Sequence, residues 1–345
     1  MDSSQPSLEL RHLIQKVAGG STLSEVEMRT ALEQMTEGAA TPAQMGAFLM
    51  ALRVRGETVE EITGAAQMMR ARMNPVEVAP GAVDIVGTGG DGTGTFNVST
   101  CAALIAAGAG IKVAKHGNRS VSSLAGASDV LAALGVKLDV PFAVISRSVE
   151  RAGVGFMWAP QHHPAMKHWA PIRGELAIRT IFNLLGPISN PAGVKRQIVG
   201  VFSWHWVEPI AHVLNKLGCE HVWVVHGHDG LDELTTTGAT DVAEVKDGQV
   251  TVFEVTPADA GLAPAKLSDL KGGDAQHNAA AIREVLSGKQ TPLRDIAVLN
   301  AAAATIVAGK AADLAEGAAL ASRAIDTGAA KAALDRLIAI TNGRD

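Results

Sequence analysis

Apolar positions at 3/4 spacing mark the first part of the chain. Leu10, Leu13, Ile14 and Val17 fall on one helical face, the periodicity of an amphipathic helix. Thr22 or Ser24 stands where a helix running through Met35 would open, and Thr41-Pro42 opens another. A hydroxyl satisfies the unpaired amides of a first turn, and proline fits its first position. No strand pattern appears before about Met73. From Val83 the chain changes character, alternating short apolar runs at 83–86, 111–114, 154–157, 198–202 and 222–225 with Ala-rich helical stretches. Strands that alternate with helices build a mostly parallel sheet covered on both faces, so the fold class is α/β. Pro171 starts one more helix. The tail from about Pro292 is Ala-rich and helical, and reads as packing with no chemical role.

Two of the apolar runs break into polar loops. After Asp84-Ile85-Val86 come five glycines in eight residues, Gly87, Gly89, Gly90, Gly92 and Gly94, then hydroxyl-bearing residues and a helix start near Asn97 or Ser99. Glycines let backbone N–H groups approach a ligand, and the helix start adds unpaired amides and a positive dipole end. A phosphate is the guest this loop suits. The same glycines match the dinucleotide fingerprint, which needs an acidic residue about 20 positions on for a ribose hydroxyl. From Gly92 through Ser128 there is no Asp or Glu, while Lys112, Lys115, His116 and Arg119 all fall there, so the region suits a polyanion. The second loop, Lys115-His116-Gly117-Asn118-Arg119-Ser120-Val121-Ser122-Ser123, follows its own apolar run. Carboxyl ends of parallel strands are where such sheets bind ligands, so the two loops are expected to share one site.

Composition narrows the picture. The chain has 345 residues, 47% of them hydrophobic, enough for a large core in two structural parts. A net charge of −5 argues against a broad nucleic-acid surface. Cys101 and Cys219 have no CxxC spacing, which argues against a disulfide framework or a thiolate zinc site and fits a reducing cytoplasm. The amino terminus has no basic segment leading into an apolar core, and no apolar stretch reaches about 18 residues, so the expected protein is soluble and cytoplasmic, without membrane or nucleic-acid partners.

Further chemistry resides in Asp232 and Glu233, which follow His226-Gly227-His228-Asp229-Gly230. Adjacent carboxylates point in different directions and can each hold a Mg²⁺ on opposite sides of a pyrophosphate. His226 and His228 lack a third histidine at helical spacing, and imidazole is a poor Mg²⁺ ligand, so they read as loop packing and hydrogen bonding. His162, His163 and His168 likewise lack metal-ligand spacing, and Pro164 interrupts them. The Trp residues read as core or subunit contact. Arg179 has Glu175 at i−4, the orientation of a helix ion pair. Arg173 has no such local carboxylate and is a candidate to grip a substrate carboxylate through two parallel bonds.

Taken together, GTGGDGTGTFNVST, KHGNRSVSS, HPAMKHWAPIRGELAIRTIFNLLGPISNPA and VVHGHDGLDELTTTG, with the amino-terminal TPAQMGAFLMALRVRGETVEEITG, closely resemble the anthranilate phosphoribosyltransferase family over nearly the whole chain. The resemblance implies a smaller all-α domain, residues 1–73 joined by about 165–186, and a large α/β domain, residues 74–164 and 187–345, of nucleoside phosphorylase/phosphoribosyltransferase type, with the active site in the cleft between them. It implies phosphoribosyl transfer to anthranilate by a homodimer using Mg²⁺, with two ions at the pyrophosphate. Its donor-binding positions correspond to Gly87, Gly90, Asp91, Thr95, Asn97, Val98, Ser99, Thr100, Lys115, Gly117, Asn118, Arg119, Ser120, Ser122, Ser123 and Ala127. Those for anthranilate correspond to Gly87, His116, Asn118, His163, Arg173 and Pro187. The metal positions correspond to Ser99, Asp232 and Glu233, and no residue serves as a general acid or base, Lys115, His116 and Arg173 acting by positioning.

Three other readings compete: a pyrimidine nucleoside phosphorylase, a non-catalytic nucleic-acid-binding paralogue and a nicotinamide dehydrogenase. KHGNRS and the acidic pair favour the transferase over the first, the acidic balance and that pair disfavour the second, and the missing ribose-binding acid disfavours the third. Against the family pattern, Gly174 stands where a basic residue is common, Ala177 where glycine is usual, and Ala127 where a polar side chain often lies.

Overall fold

The computed structural model describes residues 9–119 and 124–344. The chain forms two compact units, Met1–Asn74 with His163–Ser189 and Pro75–His162 with Asn190–Asp345. Among the described residues no helix is long and apolar enough to cross a membrane.

The first unit is helical. Ser24, Thr41 and Thr58 each close a reciprocal capping box with the third residue of the helix they open, Glu25–Thr36, Pro42–Arg55 and Val59–Ala71. Each box satisfies amides that a helix start leaves bare. Gly64 lets the first and third of these helices meet backbone to backbone, since a Cβ there would collide with the main chain of Glu25. The second segment of the unit brings in Trp169, fully buried, whose Nε1 donates to Thr36 Oγ1 at 3.0 Å and whose ring lies 4.8 Å from that of Phe182.

One helix ends earlier than its spacing suggests. Ala170–Leu176 stops because Ala177 turns into the left-handed region at φ 50°, ψ 27°, so Glu175 and Arg179 do not share a helix and the i,i+4 geometry expected for them is absent. A Cβ in this region costs an L-residue roughly 1–2 kcal/mol, a physical reason for glycine there. Ala177→Gly is expected to raise stability by about 1 kcal/mol once glycine's greater freedom in the unfolded chain is deducted. Denaturant melting checks this, and a loss of stability would contradict it. Gly174 has open space around its Cβ position, so a larger residue fits there.

The second unit is built on a seven-stranded sheet of β1 (Val83–Gly87), β2 (Val113–Gly117), β3 (Val154–Trp158), β4 (Arg196–Gly200), β5 (His221–Gly227), β6 (Thr240–Lys246) and β7 (Gln249–Val255). The order is β3-β2-β1-β4-β5-β6-β7. The first five strands pair in parallel, and β6 and β7 close one edge antiparallel. The five expected strands are all present. The edge hairpin was not expected, and its signal is Asp247-Gly248, both at positive φ (52° and 76°), the tight two-residue turn that such a pair forms.

The helices Val98–Gly108 and Pro292–Val307 contribute Leu104, Ile105, Ala301 and Ala302 to one buried cluster with Ile85, Val113 and Ile198 of the sheet. Small residues permit close approach: a Cβ on Gly108 would strike the backbone of Ala330. Strand order runs in opposite directions on the two sides of β1, and at such a reversal the loops leaving the carboxyl ends part to form a crevice.

Candidate active site

The Gly loop leaves β1 at that reversal. Gly89, Gly90, Gly92 and Gly94 all have φ between 65° and 77°, a conformation that side chains rarely adopt. Asp91 fastens the turn from within, accepting from Thr93 N at 3.2 Å and Thr93 Oγ1 at 2.6 Å. From outside, Gly272 N donates to Gly94 O at 3.0 Å, Lys271 Nζ donates to Thr93 O, and Thr95 bridges Lys271. Val98–Gly108 then begins with Asn97 at its N-cap. The Asn97 side chain is held by Asn278 Nδ2 at 2.9 Å and donates to Ala125 O at 3.2 Å.

Opposite the glycines lies the acidic pair. Gly89 N–H donates to Asp232 Oδ2 at 2.6 Å. A Cβ on Gly87 would meet the Asp232 carboxylate, and one on Gly200 would meet the Asp232 carbonyl, so two strand ends are bare to admit this one residue. Burial and then the charge of Asp232 hold the Glu233 carboxyl well above the usual range, against the pull of Lys115 and a backbone hydrogen bond from Ser99. Lys115 is itself buried and donates to Ile85 O and to Ser99 Oγ at 3.2 Å. Burial lowers the affinity of its ammonium for the proton, and Asp84, Glu233 and Asp232 oppose that shift. The structure therefore brings together the Gly loop, Ser99, Lys115, Asp232 and Glu233. Two carboxylates and a hydroxyl are hard oxygen donors, and their mutual repulsion is what a divalent cation relieves, so the set fits Mg²⁺.

Among the described residues the buried hydroxyls of Thr88, Thr100 and Ser128 have no hydrogen-bond partner. Buried polar groups without partners in the protein call for a polar guest. Gly117 closes β2, where a Cβ would press on Phe156 and Ala127. Asn118 O accepts from Ser128 N at 3.3 Å, and Asn118 Oδ1 from Arg119 N at 2.8 Å. Arg119 is exposed, 3.8 Å from Asp129 and 6.0 Å from the Trp158 ring. Ser120, Ser122 and Ser123 lie outside the described residues.

Arg173, His163 and Pro187 belong to the helical unit. His163 and Pro187 are buried. The Arg173 guanidinium stacks 5.5 Å from the centre of the Phe182 ring, and no carboxylate pairs with it among the described residues. His226 and His228 diverge: His226 Nδ1 meets Val201 O at 2.7 Å, while His228 forms an exposed cluster with Asp241 at 3.1 Å and Glu254 at 3.6 Å. The hydrogen bond to Asp241 raises the affinity of His228 for its proton, as in a surface ion pair. Of the tryptophans, Trp204 is the exposed one.

Several supports were not foreseen. Asp84, fully buried beneath the loops, accepts from Asn190 Nδ2 at 2.7 Å and His116 N at 3.2 Å. Burial pushes its carboxyl from 3.8 to about 6, only partly offset by Lys115 and these two donors. A raised folded-state value favours the folded protein most below about pH 4, and that advantage is lost as pH rises through about 6. The stability of the wild type relative to Asp84→Asn is therefore expected to fall by up to about 3 kcal/mol between those limits. Urea midpoints across the range test this, and a difference that stays flat would refute it. The Pro292–Val307 helix was read as packing alone, yet its buried Asn300 binds the backbone of Leu234 at both ends.

Residues 11–73 match the helical bundle domain of a glycosyl transferase family, and residues 79–331 match that family's a/b domain. The chain is 61% identical to an anthranilate phosphoribosyltransferase of Rhodopseudomonas palustris (strain TIE-1), over 97% of this chain and 99% of that one. It is also similar to the crystal structure of anthranilate phosphoribosyltransferase from Thermus thermophilus, with a TM-score of 0.90 and 43% identity over 96% of this chain and 99% of that one. The Saccharomyces cerevisiae enzyme of that name, in complex with PRPP and Mg, superposes with a TM-score of 0.89 at 30% identity, over 98% of this chain and 99% of the other.

Proposed function

The chain belongs to the anthranilate phosphoribosyltransferase family, and on that premise we propose how its residues move a phosphoribosyl group from phosphoribosyl pyrophosphate to anthranilate. The products are N-(5-phosphoribosyl)anthranilate and pyrophosphate, a step of tryptophan biosynthesis. The observation that carries this reading is the meeting of the Gly loop with the acidic pair at the sheet's reversal, Gly89 N–H against Asp232.

The donor's phosphates lie along the Gly loop and the start of Val98–Gly108, with Gly87, Gly90, Asp91, Thr95, Asn97, Val98, Ser99, Thr100, Gly117, Arg119 and Ala127 around it and Ser120, Ser122 and Ser123 completing the set. Asp232, Glu233 and Ser99 hold magnesium, two ions in our reading. Magnesium so bound neutralises charge on the pyrophosphate oxygens. Lys115 adds a fixed ammonium on the same side, so charge that develops on the leaving group meets groups already in place. Anthranilate is held through its carboxylate by Arg173 and at its polar edge by Asn118, with His116, His163, Pro187 and Gly87 lining its place. Its aromatic amine is unprotonated at neutral pH and attacks the anomeric carbon without a strong base, so the rate comes from positioning and electrostatic preorganisation. We take the working form to be a cytoplasmic homodimer, which sedimentation of the purified protein checks.

Mixing the protein with anthranilate, phosphoribosyl pyrophosphate and Mg²⁺ should give a loss of anthranilate fluorescence that a metal-free control does not show. Folded protein without any such loss, at every donor and metal concentration, would overturn the proposal.

A further inference from the structure

Asn300 lies in the middle of the Pro292–Val307 helix, wholly buried. Its Oδ1 accepts from Leu234 N at 3.1 Å, and its Nδ2 donates to Leu234 O at 2.8 Å and to Ile296 O at 2.9 Å. The side chain thus pairs with one residue's backbone as a neighbouring strand would, and its third bond fastens the amide to its own helix. The residue so gripped directly follows Glu233. On the other side Asp232 is held by Gly89. Further along, Thr235 N donates to Thr240 Oγ1 at 3.0 Å, while Asp229 receives Thr235 Oγ1 and Thr237 Oγ1, each at 2.6 Å. Those later bonds fasten the loop to itself, whereas Asn300 fastens it to the core.

We propose that Asn300 is a positioning residue for the metal-pyrophosphate site, setting the direction of the Glu233 carboxylate by clamping the peptide groups of Leu234. This rests on the assignment of the acidic pair to magnesium. Adjacent carboxylates diverge, and a rotation of the Leu234 peptide turns the Glu233 side chain away from Ser99 and the Gly loop. Misplacement of about 1 Å at a reacting centre costs on the order of 10²-fold in rate.

The test is Asn300→Leu, which keeps the branched shape and the number of side-chain heavy atoms and removes every hydrogen-bonding group, with Asn300→Ser as a variant short enough for water to bridge. Both the Mg²⁺ concentration for half-maximal rate, with both substrates saturating, and the Kd for Mg²⁺ measured calorimetrically with phosphoribosyl pyrophosphate bound and anthranilate absent are expected to rise roughly tenfold or more in Asn300→Leu, by analogy with the loss of groups that orient metal ligands. Asn300→Ser should fall between Asn300→Leu and wild type, and the KM for anthranilate should stay within about twofold in both. A residue that served stability alone would lower the active fraction and leave the Mg²⁺ requirement unchanged. Unchanged Mg²⁺ dependence in folded variants would overturn the proposal, as would parallel loss of every kinetic parameter. If neither variant folds, Asn300 is a determinant of the fold and the positioning role is also overturned. A wild type that turns over without metal would instead defeat the underlying magnesium assignment.

Discussion

Replacing Arg173 by alanine is expected to raise the KM for anthranilate by about 10²–10³-fold while the KM for phosphoribosyl pyrophosphate stays within about twofold. A guanidinium gripping a carboxylate makes two charge-assisted hydrogen bonds, each worth about 1.5–3 kcal/mol. Losing both removes about 3–6 kcal/mol, and with water taking up part of the lost hydrogen bonding the lower end, about 3–4 kcal/mol, is expected; every 1.4 kcal/mol is tenfold in affinity. The Arg173 side chain is held by stacking on Phe182, with no carboxylate paired to it among the described residues, so alanine leaves no buried acid stranded and the loss falls on the substrate. Lysine should recover only part of it, since a point charge cannot reproduce the planar fork. Steady-state kinetics with each substrate varied in turn decide the matter. Equal losses toward both substrates would remove Arg173 from its assigned place.

The second large effect comes from a residue that touches no substrate in this reading. Gly200→Ala should lower kcat/KM by about 10²-fold or more and reduce stability by about 3 kcal/mol. The added methyl would land on the carbonyl of Asp232, which cannot yield cheaply. Gly227 N–H binds Leu231 O at 2.8 Å on one side, and Asn300 holds Leu234 on the other. Gly87→Ala meets the Asp232 carboxylate, a rotatable group, and should cost less stability, although turning that carboxylate off Gly89 N–H still lowers turnover. Wild-type turnover by folded Gly200→Ala would show that the acidic loop tolerates displacement.

What the sequence reveals and what it hides separates along one physical line. Strands at the centre of a parallel sheet carry near-continuous apolar runs, so the runs that became β1 to β5 stand out from the helical stretches between them. Helix starts at Ser24 and Thr41 are legible because a capping box closes within four residues. The Gly loop, Lys115-His116 and Asp232-Glu233 are contiguous motifs, and the sheet needs only to bring their strand ends together. Asp247-Gly248 was equally local and was overlooked beside the longer apolar runs. Asp84, Asn278 and Asn300 are different in kind. Each is a single polar residue whose partner lies far along the chain, 32 positions for Asp84 with His116, 66 for Asn300 with Leu234 and 181 for Asn278 with Asn97. Nothing local marks them as supports, because burial supplies their meaning and burial is a property of the assembled fold. The early end of Ala170–Leu176 was hidden for the opposite reason: alanine is the strongest helix former, and at Ala177 the chain sets that preference aside.

The helical unit is drawn from two separated stretches of chain, and this fixes an order of events as the protein is made. Thr36 leaves the ribosome 133 residues before Trp169, whose indole will bond it. At about 5–20 residues per second of synthesis, the helices Glu25–Thr36, Pro42–Arg55 and Val59–Ala71 pass several seconds without the later segment of their unit, while β1 to β3 are already being extruded. The bundle is therefore first to begin and late to finish. Until His163–Ser189 arrives, the nascent chain carries an apolar surface that its own sequence has not yet supplied the means to cover, the period in which capture by chaperones or by a neighbouring nascent chain competes with folding.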